Sequence, residues 1–262
     1  PPSFECVRRQ ITEAAAPQGL NRAKVACAMD YEIEANWKLV WENNRECYHC
    51  NVNHPQYIRA NFDHYNDDDT TTAIETRIAK QLERDTNQLA AAGLAATHHA
   101  TGMASFPDPD HAEGWCAINR TVLVEDYVSE TMDGQQVAPL MGDYDDPHVG
   151  TLRMRTMPNM WNHSSCDHAV TTRLLPAGPA KTRARVVWLV DCDAVEGQDY
   201  TLDRLLPFWQ LTSEQDWDLC RRAQQGISSR AYRPGPLSTY KEWNVEAFIR
   251  WYLKQLVAPT DL

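Results

Sequence analysis

The 262-residue chain is 43% hydrophobic and carries 25 Lys and Arg against 36 Asp and Glu, a formal net charge of -11. That apolar content suffices for a buried core and suggests one domain over residues 1–262, while the acidic balance and the lack of clustered Lys and Arg exclude a nucleic-acid partner. No apolar run reaches the roughly 18 residues of a membrane span, and the opening PPSFECVRRQ has no secretory apolar region, so no membrane association and a cytoplasmic location are expected.

Residues 1–22 are mixed and polar, with Pro17-Gln18-Gly19 marking a turn, and read as an entry segment. Lys24–Ile33 (KVACAMDYEI) alternates in places like a strand. Asn36 then opens a short helix whose apolar side is Trp37, Leu39, Val40 and Trp41. The run Asn66-Asp67-Asp68-Asp69 reads as a solvated loop rather than a calcium loop, because its spacing is not that of an EF-hand. It leads into a second helix over 72–92 that stops at Gly93. From about Asn119 the period becomes alternating: Val122, Val124, Tyr127 and Val128 precede Asp133-Gly134, a hairpin signal. Strands are then expected at 151–161, 166–175 and 182–191, the last two joined by Pro176-Ala177-Gly178-Pro179, as an antiparallel meander. Thr212 with Gln215 suggests a capping box for a helix running to Gly226. Ser238 opens a final helix with Val245, Phe248, Ile249, Tyr252, Leu253 and Leu256 on one face. Helix, antiparallel sheet, helix gives an α+β fold with helices gripping one face of the sheet.

The chemistry-bearing stretch is 36–55, NWKLVWENNRECYHCNVNHP. Positions five apart on a straight helix diverge by about 140°, so His49 and His54 share one face only where the helix breaks. Asn51, Asn53 and Pro55 provide that break. Two imidazoles and a carboxylate on one side of an ion form the facial triad of non-haem Fe(II) oxygenases; on spacing alone, ordinary helix-end histidines fit equally well. Cys47 and Cys50 could form half a zinc site or a redox pair, but no second CxxC completes a zinc site. The eight cysteines show no disulfide framework, and most are expected to be reduced and buried. Cys47-Tyr48-His49 and Cys166-Asp167-His168 imitate the first half of a Rieske cluster motif, and neither is followed by the second half.

Asn36-Trp-Lys-Leu-Val, Glu42-Asn43, Glu46-Cys-Tyr-His49 and His54-Pro55 resemble the iron-binding signature of the catalytic domain of Rieske-type oxygenase α subunits. The similarity extends through Asp216-Trp-Asp-Leu-Cys220, Gln224-Gln-Gly226, Gly235-Pro-Leu-Ser238 and the helix bearing Val245, Phe248, Trp251 and Tyr252, covering roughly residues 20–256. Leu140-Met-Gly-Asp-Tyr144, Pro158 to His163, Ser165 to His168 and Phe208 to Asp216 are most similar to the glycine betaine and stachydrine demethylases of that family.

The resemblance implies a helix-grip fold of the SRPBCC/START-like kind, with His49, His54 and Asp216 as Fe(II) ligands. Asp218 is the competing carboxylate, set about 200° away from Asp216 around its helix. Glu46 is implied to bridge to the cluster ligand of a neighbouring subunit, and Asn43 to be a polar residue beside the iron. The implied reaction is oxidative N-demethylation of a small quaternary ammonium acid with dioxygen. Electrons would come from a Rieske [2Fe–2S] cluster and, through a separate reductase, from NAD(P)H, in a homotrimer. The Rieske domain that normally precedes such a region is absent here, so a fragment is expected, or a cluster on another polypeptide. Aromatic faces hold methylated cations best, and Trp161, Trp188 and Trp209 are candidate contributors. Ring hydroxylation of an aromatic substrate and a metal-free helix-grip carrier of hydrophobic ligands are the alternatives.

Overall fold

The computed structural model describes residues 3–62, 71–95, 102–108, 110–111 and 114–257; the acidic run 66–69 lies outside them. Six antiparallel strands form one sheet: β1 (Lys24–Ile33), β2 (Cys116–Thr121), β3 (Thr151–Thr156), β4 (Met160–Ser164), β5 (Ala169–Gly178) and β6 (Lys181–Val190). Their spatial order is β1-β6-β5-β4-β3-β2, so the first strand enters beside the last. The helices are α1 (Glu5–Ala15), α2 (Trp37–Asn43), α3 (Cys50–Asn53), α4 (Pro55–Ala60), α5 (Thr72–Ala91), α6 (Leu202–Leu205), α7 (Pro207–Ile227) and α8 (Trp243–Val257).

Side-chain alternation explains the two faces of the sheet. Leu152 and Met154 of β3 pack with Ala14 of α1, while Arg153 and Arg155, on the other face of the same strand, pair in register with His163 and Trp161 of β4. On that second face Trp41, Trp188, Phe208 and Phe248 are fully enclosed in the main core beneath α2, α7 and α8. This is the helix-grip arrangement expected. Among the described residues no helix is long and apolar enough to cross a membrane.

Several local expectations are corrected. The entry segment contains α1, which the sequence conceals because only Val7 and Ala14 are buried and no side chain caps its start. The residues around Val122 to Val128 form no strand; the strand lies earlier, at β2, and Asp133-Gly134 closes a loop turn rather than a hairpin. Gly134 has φ +75°, and a Cβ there would stand 2.6 Å from the Tyr127 ring, so the turn requires glycine. The expected strand 151–161 is two strands, β3 and β4, joined by a turn containing a cis Met157–Pro158 bond. Helix α7 starts at Pro207, so Thr212 is no cap: its hydroxyl donates to the Phe208 carbonyl one turn back (2.7 Å). In α8, Trp251 takes the buried place expected of Leu253 and Leu256, which are 55% and 62% exposed. Cys47 and Cys50 are joined as a disulfide, while Cys116, Cys166 and Cys220 are buried and outside any disulfide.

Candidate metal centre

Asn36 caps α2 through its side-chain oxygen, which accepts from the Lys38 amide. The chain then leaves helical geometry and re-enters it at α3, with His49 at the α3 N-cap. His54 is the hinge between α3 and α4, and Pro55 begins α4 at the position where its missing N–H costs nothing. This broken path turns the two imidazoles together, with ring centroids 5.0 Å apart and planes at 82°. Opposite them α7 presents Asp216. Its Oδ1 lies 3.2 Å from His49 Nε2 and 3.0 Å from His54 Nε2, and it accepts a 2.7 Å hydrogen bond from Asn43 Nδ2 at the end of α2.

The other nitrogen of each ring is already engaged. His49 Nδ1 is 2.9 Å from Glu46 Oε1. His54 Nδ1 is 2.7 Å from Gln215 Oε1, an oxygen that also accepts from Gln56 Nε2 at 2.9 Å. Both acceptors take the Nδ1 proton, which leaves each Nε2 facing Asp216, where it donates to the carboxylate when protonated and offers a lone pair to a cation when not. Gln215 is the residue the sequence reading missed; its sequence signal was absorbed by the capping-box interpretation. Glu46 has a second contact, from the Tyr48 amide to Oε2 at 2.5 Å.

Burial alone would raise the Asp216 carboxyl, but hydrogen bonds from His49 and His54 bring it down to about 2. Burial alone would lower His49, but Asp216 and Glu46 raise it to about 9. The two carboxylates thus favour positive charge between them, the electrostatic condition for a cation site. The donor atoms of His49, His54 and Asp216 lie within 4.8 Å of one another, and two imidazole nitrogens with one carboxylate oxygen suit a divalent first-row transition metal with open positions. Asp218 points elsewhere, paired with Arg221 and Arg222 on the exposed side of α7.

The three donors line one cavity together with Glu46, Asn43, Arg155, Trp161, His163, Trp209 and Trp217. Trp161 and Trp209 are thus placed on its wall, joined by Trp217, which the sequence did not single out. Trp188 is not on that wall. Register explains why: His163 of β4 faces Val170 of β5, which faces Trp188 of β6, so Trp188 is on the right face but two strands too far. The Cys166-Asp167-His168 stretch is structural, since Asp167 receives Ser129 Oγ at 2.6 Å and the Val137 amide at 2.6 Å and thereby pins the 129–138 loop.

Against a six-stranded helix-grip sheet, two imidazoles from the broken α3–α4 stretch and a carboxylate from the continuous α7 form a candidate site for one metal ion with open positions. Over residues 20–258 the chain matches the ring hydroxylating alpha subunit (catalytic domain) family, and it belongs to that family. It is 36% identical over 264 residues to the glycine betaine monooxygenase oxygenase subunit of Chromohalobacter salexigens, an alignment taking in 100% of this chain and 56% of that protein. The subunit of the same name from Pseudomonas aeruginosa strain UCBPP-PA14 is 34% identical over 258 residues, with 98% and 57% covered. The chain therefore spans little more than half the length of these relatives. Among solved structures, a quaternary ammonium Rieske monooxygenase superposes with a TM-score of 0.57 at 15% identity, covering 94% of this chain and 53% of the other. Naphthalene 1,2-dioxygenase from Rhodococcus sp. gives 0.54 at 13% identity, covering 98% and 62%. At those identities the likeness is one of fold.

Proposed function

We propose that this chain is a single catalytic domain of a non-haem Fe(II) oxygenase that oxidatively removes an N-methyl group from a small quaternary ammonium acid such as glycine betaine. The observation that carries the reading is the arrangement of the two imidazoles: both Nδ1 atoms are tied to oxygen acceptors, and both Nε2 atoms meet at Asp216. Metal-binding histidines are oriented in this way by their neighbours. The names of the relatives support the substrate class.

His49, His54 and Asp216 would hold the iron. Iron bound there would supply dioxygen activation for hydroxylating an N-methyl carbon, with two electrons from a Rieske [2Fe–2S] cluster outside these residues and ultimately from NAD(P)H through a reductase. The hydroxylated methyl group then leaves as formaldehyde. Glu46 and Gln215 fix the ring tautomers, and Asn43 keeps the Asp216 oxygen turned toward the histidines by donating to it. Trp161, Trp209 and Trp217 offer aromatic faces to the methylated cation and exclude water around it. Glu46 lines the metal cavity and also an outer groove formed with Tyr48, Leu219 and Pro236. That double exposure supports a route from His49 through Glu46 to the cluster ligand of a neighbouring subunit in a homotrimer.

The test is reconstitution of this domain within its whole oxygenase, with reductase and NAD(P)H, followed by formaldehyde release from glycine betaine alongside product analysis with aromatic acids. One tightly bound iron per chain and formaldehyde from the betaine are expected. Iron-loaded oxygenase that hydroxylates only the aromatic acid overturns the demethylase reading.

A further inference from the structure

Sulfur lies beside one of the two nitrogens that face Asp216. The Cys47–Cys50 disulfide brackets His49 in sequence, and both cysteines line the metal cavity. Cys50 Sγ stands 4.0 Å from His49 Nε2. On a tetrahedral ion, a sulfur and an imidazole nitrogen at ordinary bond lengths sit about 3.6 Å apart. A cysteine already this close comes into ligand range by turning its one side-chain rotor, and the bond to Cys47 is what restrains it. That bond joins residues three apart, so it constrains the unfolded chain less than a longer crosslink would. His49 keeps its place without it: Glu46 Oε1 lies 2.9 Å from Nδ1, and the Val52 and Asn53 amides donate to the His49 carbonyl at 3.1 and 2.8 Å. Cys50 is anchored in the same turn, its carbonyl accepting from the His54 amide at 3.0 Å. Breaking the disulfide therefore releases sulfur without releasing either imidazole.

We infer that Cys47 and Cys50 form a thiol–disulfide switch on the metal centre: the disulfide keeps sulfur off the ion and leaves coordination positions open, and reduction delivers Cys50 as a fourth ligand that closes them. The inference rests on His49, His54 and Asp216 as a metal site and is independent of the substrate. Cys50 is buried and Cys47 half-buried, so an external dithiol attacks at Cys47. Its thiolate bonds to Cys47 Sγ as the disulfide breaks and Cys50 leaves with the electron pair; the second thiol of the reductant then displaces Cys47 and closes a disulfide in the reductant. Two electrons and two protons pass from dithiol to protein, and the Cys50 proton is released when its sulfur takes the metal. Two imidazoles, a carboxylate and a thiolate complete a four-coordinate set suited to zinc, whereas the three-donor set of the oxidised chain keeps an open face.

The probe is cobalt(II) alone, titrated anaerobically into the whole oxygenase stripped of its mononuclear metal, either untreated or after reduction with dithiothreitol and removal of the reagent. Reduction should free the two thiols of Cys47 and Cys50. Bound cobalt should show thiolate-to-metal charge-transfer absorption only after reduction, read as the difference from Cys50→Ser so that other chromophores cancel. Zinc should bind the reduced protein at least about tenfold tighter, since even partners one shell beyond the ligands are worth that much. Cys47→Ser should show the absorption with no reductant, and Cys50→Ser in neither state. A disulfide that only braces the fold would make the two variants alike, and that result overturns the inference. So does reduced wild type with two new thiols and no charge-transfer absorption, or a protein in which reduction frees no thiol. The wild-type comparison needs no variant to fold. Cobalt bound equally before and after reduction, and lost in His49→Ala, removes the switch alone; cobalt that binds neither form removes the metal-centre assignment with it.

Discussion

Replacing Gln215 by leucine removes the acceptor 2.7 Å from His54 Nδ1 and leaves the Gln56 amide with Thr212 as its partner at 2.9 Å. Leucine is close to glutamine in volume, so the packing of α7 against α4 is retained and the loss is confined to hydrogen bonding. Two effects follow at His54. Its ring is no longer held in the Nδ1-protonated tautomer, and a buried donor is left unpaired, at a cost of about 1–3 kcal/mol. Loss of an orienting partner of this kind weakens metal binding by about 10–100-fold, equivalent to about 1.4–2.7 kcal/mol. The assay is anaerobic competition for Fe(II) against a chromogenic chelator, run on wild type, Gln215→Leu, His54→Ala and the double variant. Because Gln215 acts through His54, the double variant should be no weaker than His54→Ala alone. Wild-type affinity in Gln215→Leu, or losses that add in the double variant, would refute a role for Gln215 in orienting His54.

The remaining expectations concern the ligands, the bridge and pH. Asp216→Ala should purify nearly iron-free while Asp218→Ala keeps its iron by metal analysis, because Asp218 is committed to Arg221 and Arg222 on the far side of α7; the reverse result would move the site. Glu46→Gln should retain iron yet lose reductase-driven formaldehyde release, with hydrogen peroxide restoring product; failure with peroxide as well would assign Glu46 to the metal site or the fold. Burial lowers His163 from 6.5 to about 4, so between those values the unfolded chain takes up a proton that the folded chain refuses. Stability from this residue is full above pH 6.5 and falls on acidification, by on the order of 2 kcal/mol at pH 5. Urea titrations at pH 7 and pH 5 should show that loss shrinking in His163→Gln, and an unchanged pH dependence would remove the residue from the account.

What could be read in the chain followed from how strongly each segment couples pattern to burial. Strand β1 shows one half-buried and one exposed face over much of its length, and its bounds were evident. Asn36 is a cap by both chemistry and position. Strands β3 and β4 are enclosed on both faces, Leu152 and Met154 under α1 and Arg153 and Arg155 under the helices, so no alternation marks where one ends and the next begins. In α7, Pro207 was the true opening signal, and the Thr212–Gln215 pair competed with it because a hydroxyl bonding back along a helix uses the same residue types as a cap. Motifs and a family likeness brought out the two histidines and Asp216. Gln215 and Trp217 were not singled out for the site, since each matters there through partners on other elements.

Asp216 lies 162 residues along the chain from His54 and 173 from Asn43, yet a single oxygen of its side chain meets both. In the unfolded chain these groups are scattered, and bringing such distant points together carries a loop-closure entropy that grows only slowly with length. A metal ion that binds only the assembled set would act as a reversible staple across well over half of the chain and would add its binding free energy to folding. Cellular iron supply would then govern how much of this domain survives as well as how fast it works. Chelation should lower the melting temperature, and protein made under iron starvation should be degraded more readily than protein made in iron-replete cells.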